Sequence, residues 1–81
     1  MPTVLRYGPY RVYFYSHEPN EPPHVHVDHG TSTAKLWLGP PVALASSHGF
    51  GPRDLRRVQG IVEEYRQTLE EAWHAFFGKS G

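Results

Sequence analysis

Seven apolar residues in the C-terminal third set the frame for this chain. Leu55, Val58, Val62, Tyr65, Leu69, Ala72 and Phe76 recur at spacings of 3, 4, 3, 4, 3 and 4. That rhythm puts them on one face of an α-helix. Ile61 and Trp73 widen the stripe. Pro52 suits the first helical turn, Gly51 is a weak N-cap, and Gly78 suits the C-terminal cap. The spacing predicts one long helix over about residues 52–77. Three heptads could also form a coiled-coil seam, but on so short a chain the stripe points to a helix lying on a sheet.

The residues before it supply that sheet, as strands over about residues 3–45. "TVLRY" and "YRVYFY" are rich in β-branched and aromatic residues, with Gly8-Pro9 as the turn between them. "SHEPNEPP" reads as a loop, because its prolines remove strand donors. "HVHV" and "TAKLWL" form two more strands around a turn at Asp28-His29-Gly30. "PPVALAS" adds a short edge strand, and "SSHGFG" reads as a loop. The expected fold is α+β: an antiparallel sheet of four to five strands with one long C-terminal helix packed on one face.

The chain has 81 residues, so a single domain over residues 1–81 is expected. Chains this short bury only about 60–65% of their unfolded surface. There is no cysteine, which removes disulfides and thiolate zinc sites. Five Tyr, four Phe and two Trp supply much of the core material. No apolar run reaches the roughly 18–20 residues of a membrane span, and the N-terminus lacks signal-peptide features. A complete, small, cytoplasmic protein with no membrane association is the expectation.

Net charge is zero, so no global field draws nucleic acid. The charges are segregated, however. Residues 31–57 carry Lys35, Arg53, Arg56 and Arg57 against Asp54, a net of +3, while residues 58–81 carry four glutamates against Arg66 and Lys79, a net of −2. Arg53, Arg56 and Arg57 crowd the helix N-terminus, and Glu70 and Glu71 lie near its C-terminus. Both placements oppose the helix dipole, at about 0.3 kcal/mol per exposed charge. Broken local rules of this kind concentrate at functional surfaces. The arginines are therefore candidates to meet phosphates or an acidic partner, against the alternative of an ordinary solvated face.

Alternation divides the strands into two faces. Tyr10, Val12 and Phe14, then Val25 and Val27, then Ala34, Leu36 and Leu38, are the partners for the helix stripe. The other face carries Arg11, Tyr13 and Tyr15, then His24, His26 and Asp28, then Lys35 and Trp37. One helix covers one face, so this second face is expected to be open, basic and aromatic.

His24 and His26 are the candidate catalytic pair. On a strand their side chains stand about 6–7 Å apart, room for a phosphodiester. One imidazole can take a proton while the other gives one. RNA carries its own nucleophile, so a metal-free site needs only base, acid and a cation, here Lys35 and Arg11. Tyr13, Tyr15 and Trp37 are candidates to stack bases. The alternative is an exposed strand whose histidines do nothing. His-x-His can also ligate zinc, with Glu21, Asp28, His29 or His17 as third donor. No helical His-Glu-x-x-His accompanies it, so no metal and no cofactor is assigned. His74 lies roughly opposite the stripe, four residues after Glu70, and reads as a solvated i,i+4 partner. His17 and His48 read as solvated loop residues.

"HEPNEPPHVHV", "AKLWL", "PPVALASSHGF" and "EEAWHAFF" resemble a family of small bacterial proteins classified only as a domain of unknown function. The similarity runs over nearly the whole chain. It maps onto Glu21, Pro22, Pro23, His24, His26 and Trp73-His74, with Gly51 where Ser or Thr usually precedes the helix. Such proteins are often encoded beside another small protein, an arrangement that implies toxin–antitoxin pairs. The resemblance therefore implies a toxin-like protein with a cognate antitoxin-like partner, and the residues of the outer face make RNA its expected target. A metal-independent ribonuclease is the enzyme expected if it is one. A non-catalytic protein-interaction module or a small His-based metal-binding protein are the alternatives. Open strand edges and exposed aromatics permit a homodimer.

Overall fold

The computed structural model describes residues 3–15 and 20–78. Five strands come first: β1 (Thr3–Tyr7), β2 (Tyr10–Tyr13), β3 (His24–His29), β4 (Ser32–Trp37) and β5 (Ala43–His48). Two helices follow, α1 (Pro52–Glu64) and α2 (Arg66–Phe77). The strands form one antiparallel sheet in chain order, β1-β2-β3-β4-β5.

Two of the connections are two-residue hairpins that open on glycine. Gly8-Pro9 lies between the paired Tyr7 and Tyr10, and Gly30-Thr31 between the paired His29 and Ser32. Gly8 and Gly30 have φ of 58° and 65°, and a positive φ at the first central residue marks the type II′ turn that matches strand twist. Asp28 and His29, expected in the turn, therefore belong to β3. The expected loop over 46–51 also gives way, because Ser46, Ser47 and His48 pair in β5. A register shift between Lys35 and Leu36 leaves Ala45 as the extra residue of a bulge.

One face of the sheet carries the core, as alternation predicts. Tyr10, Val12, Val25, Val27, Ala34, Leu36 and Leu38 pack with Val58, Ile61 and Val62 of α1 and Leu69 of α2. Burying each such side chain contributes about 1.5–3 kcal/mol. Gly51 caps α1 without a side-chain bond and Pro52 follows it, while Gly78, at φ 82°, ends α2.

The single long helix is corrected to two. Tyr65 leaves helical geometry at φ −103° and ψ 15°. No proline or glycine causes the break; its tertiary contacts hold it. The Arg66 guanidinium donates back to the carbonyls of Leu38 (2.8 Å) and Gly39 (3.3 Å), and the Tyr65 ring meets Tyr7 at 5.9 Å. The break turns the buried side of α2 toward Leu69 and Trp73, leaving Phe76 half exposed. Glu70 and Glu71 thus lie in the first half of α2, and the acidic end of α1 is Glu63-Glu64. Among the described residues no helix is long and apolar enough to cross a membrane.

Candidate functional site

Strand register assembles the outer face of the sheet. Tyr13 pairs with His26, His26 with Lys35, and Lys35 with Ser46. Directly opposed residues project to the same side, so these four form one row across four strands. The next row runs Arg6, Arg11, Asp28, Thr33 and His48. A third joins His24 to Trp37 and Ala43. Of the residues singled out from the sequence, Arg11, Tyr13, Tyr15, His24, His26, Lys35 and Trp37 therefore come together. Arg53, Arg56 and Arg57 do not join them. They are exposed on α1, which packs on the opposite face of the sheet.

The expected open face is corrected: part of it is closed by its own rings. His24 is 0% exposed, with Trp73 of α2 at 4.9 Å and Trp37 at 5.6 Å. Its Nδ1 lies 2.9 Å from the Pro22 carbonyl, and since a carbonyl only accepts, Nδ1 carries the proton. The His24 and His26 rings meet edge to face at 5.3 Å, which is contact distance and leaves no room for a phosphodiester between them. The sequence could not show this, because the aromatic cover arrives from α2 and the helix break aims it.

His26 is half-buried, stacked on Tyr13 at 5.4 Å and meeting Tyr15 at 4.6 Å. The Tyr13 ring also meets Tyr15 edge to face at 5.6 Å and the Arg11 guanidinium, 4.4 Å from its centroid. Lys35 stands over Trp37 at 4.6 Å. These cation–π contacts fill stacking positions that the sequence assigned to bases. Arg11 also donates to the Thr3 hydroxyl at 2.8 Å.

Two carboxylates join this face, one held by a cation and one by a phenol. Glu21 Oε1 accepts from Lys35 at 2.7 Å and lies 3.7 Å from His24 Nδ1. Asp28 accepts from the Tyr13 hydroxyl at 3.1 Å through both oxygens. Burial pushes the Tyr13 phenol well above its usual range, and its hydrogen bonds with Tyr15 and Asp28 and the Asp28 charge add to the rise.

Beside the row, a cavity of about 160 Å³ is lined by His26, Thr33, Ala34, Lys35, Ser46, Ser47 and His48. The edge strand expected from "PPVALAS" forms as β5 but runs on past Ser46, so sequence reasoning missed the part of the cavity wall made by Ser47 and His48. Short polar residues carry no apolar alternation, and only register with β4 reveals that the strand continues.

Among the described residues no three His, Asp or Glu side chains are grouped to hold a metal. His29 packs on Tyr10 at 5.1 Å, and His17 lies outside the described residues. His74 sits 3.7 Å from Glu70, the expected i,i+4 contact. No curated protein and no solved structure matches the chain. A family model described as Domain of unknown function (DUF4160) matches residues 10–74, and the chain belongs to that family.

Proposed function

We propose that the chain is an RNA-directed protein, the toxin-like member of a toxin–antitoxin-type pair, that binds RNA on the outer face of the sheet. The observation that carries this reading is the row Tyr13, His26, Lys35 and Ser46 in register across four strands, flanked by Arg11. Arg11 and Lys35 present charge to phosphates. Tyr15 and Trp37, both half-buried, offer what ring surface remains for bases. The geometry favours binding over acid–base cleavage. His24 is sealed and acts as a positioning residue for His26 and Glu21.

The test is binding of single-stranded RNA to the purified protein across a salt series, with cleavage followed in parallel in the presence of chelator. The expected result is salt-dependent binding, with a slope that falls by about 0.7 in Arg11→Ala for one lost phosphate contact. Cleavage that survives chelator and is lost in His26→Ala would restore the catalytic reading. Failure to bind or cleave RNA at low salt overturns the proposal.

A protein-interaction module is the second reading, favoured by β5, an edge strand exposed along its whole length with Leu44 42% exposed. Co-purification with the product of an adjacent small gene is its test.

A further inference from the structure

The cavity between β3, β4 and β5 has a chemical character of its own. It is lined by Lys35, by Thr33, Ser46 and Ser47, and by His26 and His48, and of these all but Ser47, which is opposite the core residue Ala34, project their side chains to this face. Among the described residues no carboxylate lines it. Hydroxyls, an ammonium and imidazoles can all donate hydrogen bonds, and a donor-rich pocket with a fixed cation suits an oxyanion. Its volume of about 160 Å³ lies below the roughly 300–1,000 Å³ of pockets for whole drug-sized ligands. It therefore fits a single tetrahedral group and not a nucleoside.

A resident anion already touches the same cation. Glu21 holds Lys35 at 2.7 Å from outside the cavity, and its side chain is 40% exposed. An incoming anion and the Glu21 carboxylate would draw on one ammonium.

We propose that this cavity is a phosphate subsite, formed by Lys35, Thr33, Ser46 and His48, and that Glu21 competes with the ligand for Lys35. The inference rests on the RNA-directed reading only for the source of the phosphate; the subsite itself rests on the lining. Glu21 makes the subsite selective, since a weak anion does not displace it.

Titration of the purified protein with inorganic phosphate, followed by amide shifts of β4 and β5, tests the subsite directly. Wild type should bind weakly, Glu21→Gln several-fold more tightly, and Lys35→Met about tenfold or more weakly. Ser46→Ala should weaken binding by a smaller factor, and its exposed position keeps the fold intact. Urea midpoints of all variants check that folding is preserved. No phosphate binding by wild type or Glu21→Gln overturns the subsite, as does equal affinity in wild type and Lys35→Met.

An oligoribonucleotide with and without a 5′-phosphate separates the two sources. A Lys35-dependent gain from the terminal phosphate assigns the subsite to a strand end. Lys35-dependence that is equal for both assigns it to an internal phosphodiester. Lys35-dependent phosphate binding without RNA binding upholds the subsite and removes the RNA reading. RNA binding indifferent to Lys35→Met and Ser46→Ala removes the subsite and leaves the RNA reading standing.

Discussion

Strands β3 and β5 have the same length and share one sheet, yet they live in different surroundings. Each has six residues; three of β3 are buried, and every residue of β5 is exposed. β3 has a paired neighbour on each side, helices beneath its valines and rings over its histidines. β5 has one paired neighbour, and its side chains are mostly short and half of them polar. Burial here follows from place in the sheet and from what arrives to cover it, not from strand formation itself. The division also separates tasks. β3 holds the fold together, and β5 stays low enough to leave a cavity beside Lys35.

The largest expected effect comes from stripping the cover over β3. Trp73→Ala should cost about 3–5 kcal/mol, the range for a buried aromatic, measured by urea unfolding. In the wild type, an imidazole-modifying reagent should label His48 readily and spare His24; in Trp73→Ala, His24 should become reactive. Labelling of His24 in the intact wild type would break the comparison. Next, Val27→Ala in β3 should cost about 2 kcal/mol, while Leu44→Ala in β5 should stay within about 0.5 kcal/mol. Equal costs would mean that β5 is covered in solution.

A smaller effect concerns pH. Tyr13 pairs with His26 of β3 and keeps its phenol neutral when folded. The unfolded phenol ionises near pH 10, so the contribution of Tyr13 is complete below about pH 10 and is lost as pH rises further. Tyr13→Phe should cost about 1 kcal/mol at neutral pH by leaving Asp28 without its donor. Above pH 10 the variant should lose stability less steeply than the wild type, a crossing visible in paired urea titrations. The smallest effect is a gain. Gly60 sits inside α1, and a Cβ there would meet nothing within 4 Å. Gly60→Ala should stabilise by about 0.5–1 kcal/mol. Hydrogen exchange should then slow in β3 beneath the helix and remain fast in the locally fraying edge of β5.

Much of this architecture was readable in advance, where side-chain period and burial coincide. The valines of β3 alternate against the helix as their spacing requires, and Gly8-Pro9 makes the turn that its residues favour. The misses share a cause: each depends on contacts distant in sequence. Tyr65 has nothing local to break a helix, and the carbonyls of Leu38 and Gly39 that anchor Arg66 are about 27 residues away. His24 looked like His26 because both share a strand face; only Trp73 tells them apart. Arg11, Lys35 and the aromatic residues were gathered correctly, but their mutual contacts could not be foreseen from alternation. The edge strand expected to end at Ser46 runs on through Ser47 and His48, which read as loop because short polar residues carry no period.

The strictly sequential order of the sheet has a kinetic consequence. Every strand pairs only with the strands next to it along the chain, so no pairing must wait for a distant segment to diffuse home. Closing short loops costs little chain entropy, and each hairpin can zip onto the one before it. This chain should refold toward the fast end of the range for sheet-containing proteins. The helices then close over a template that is already forming.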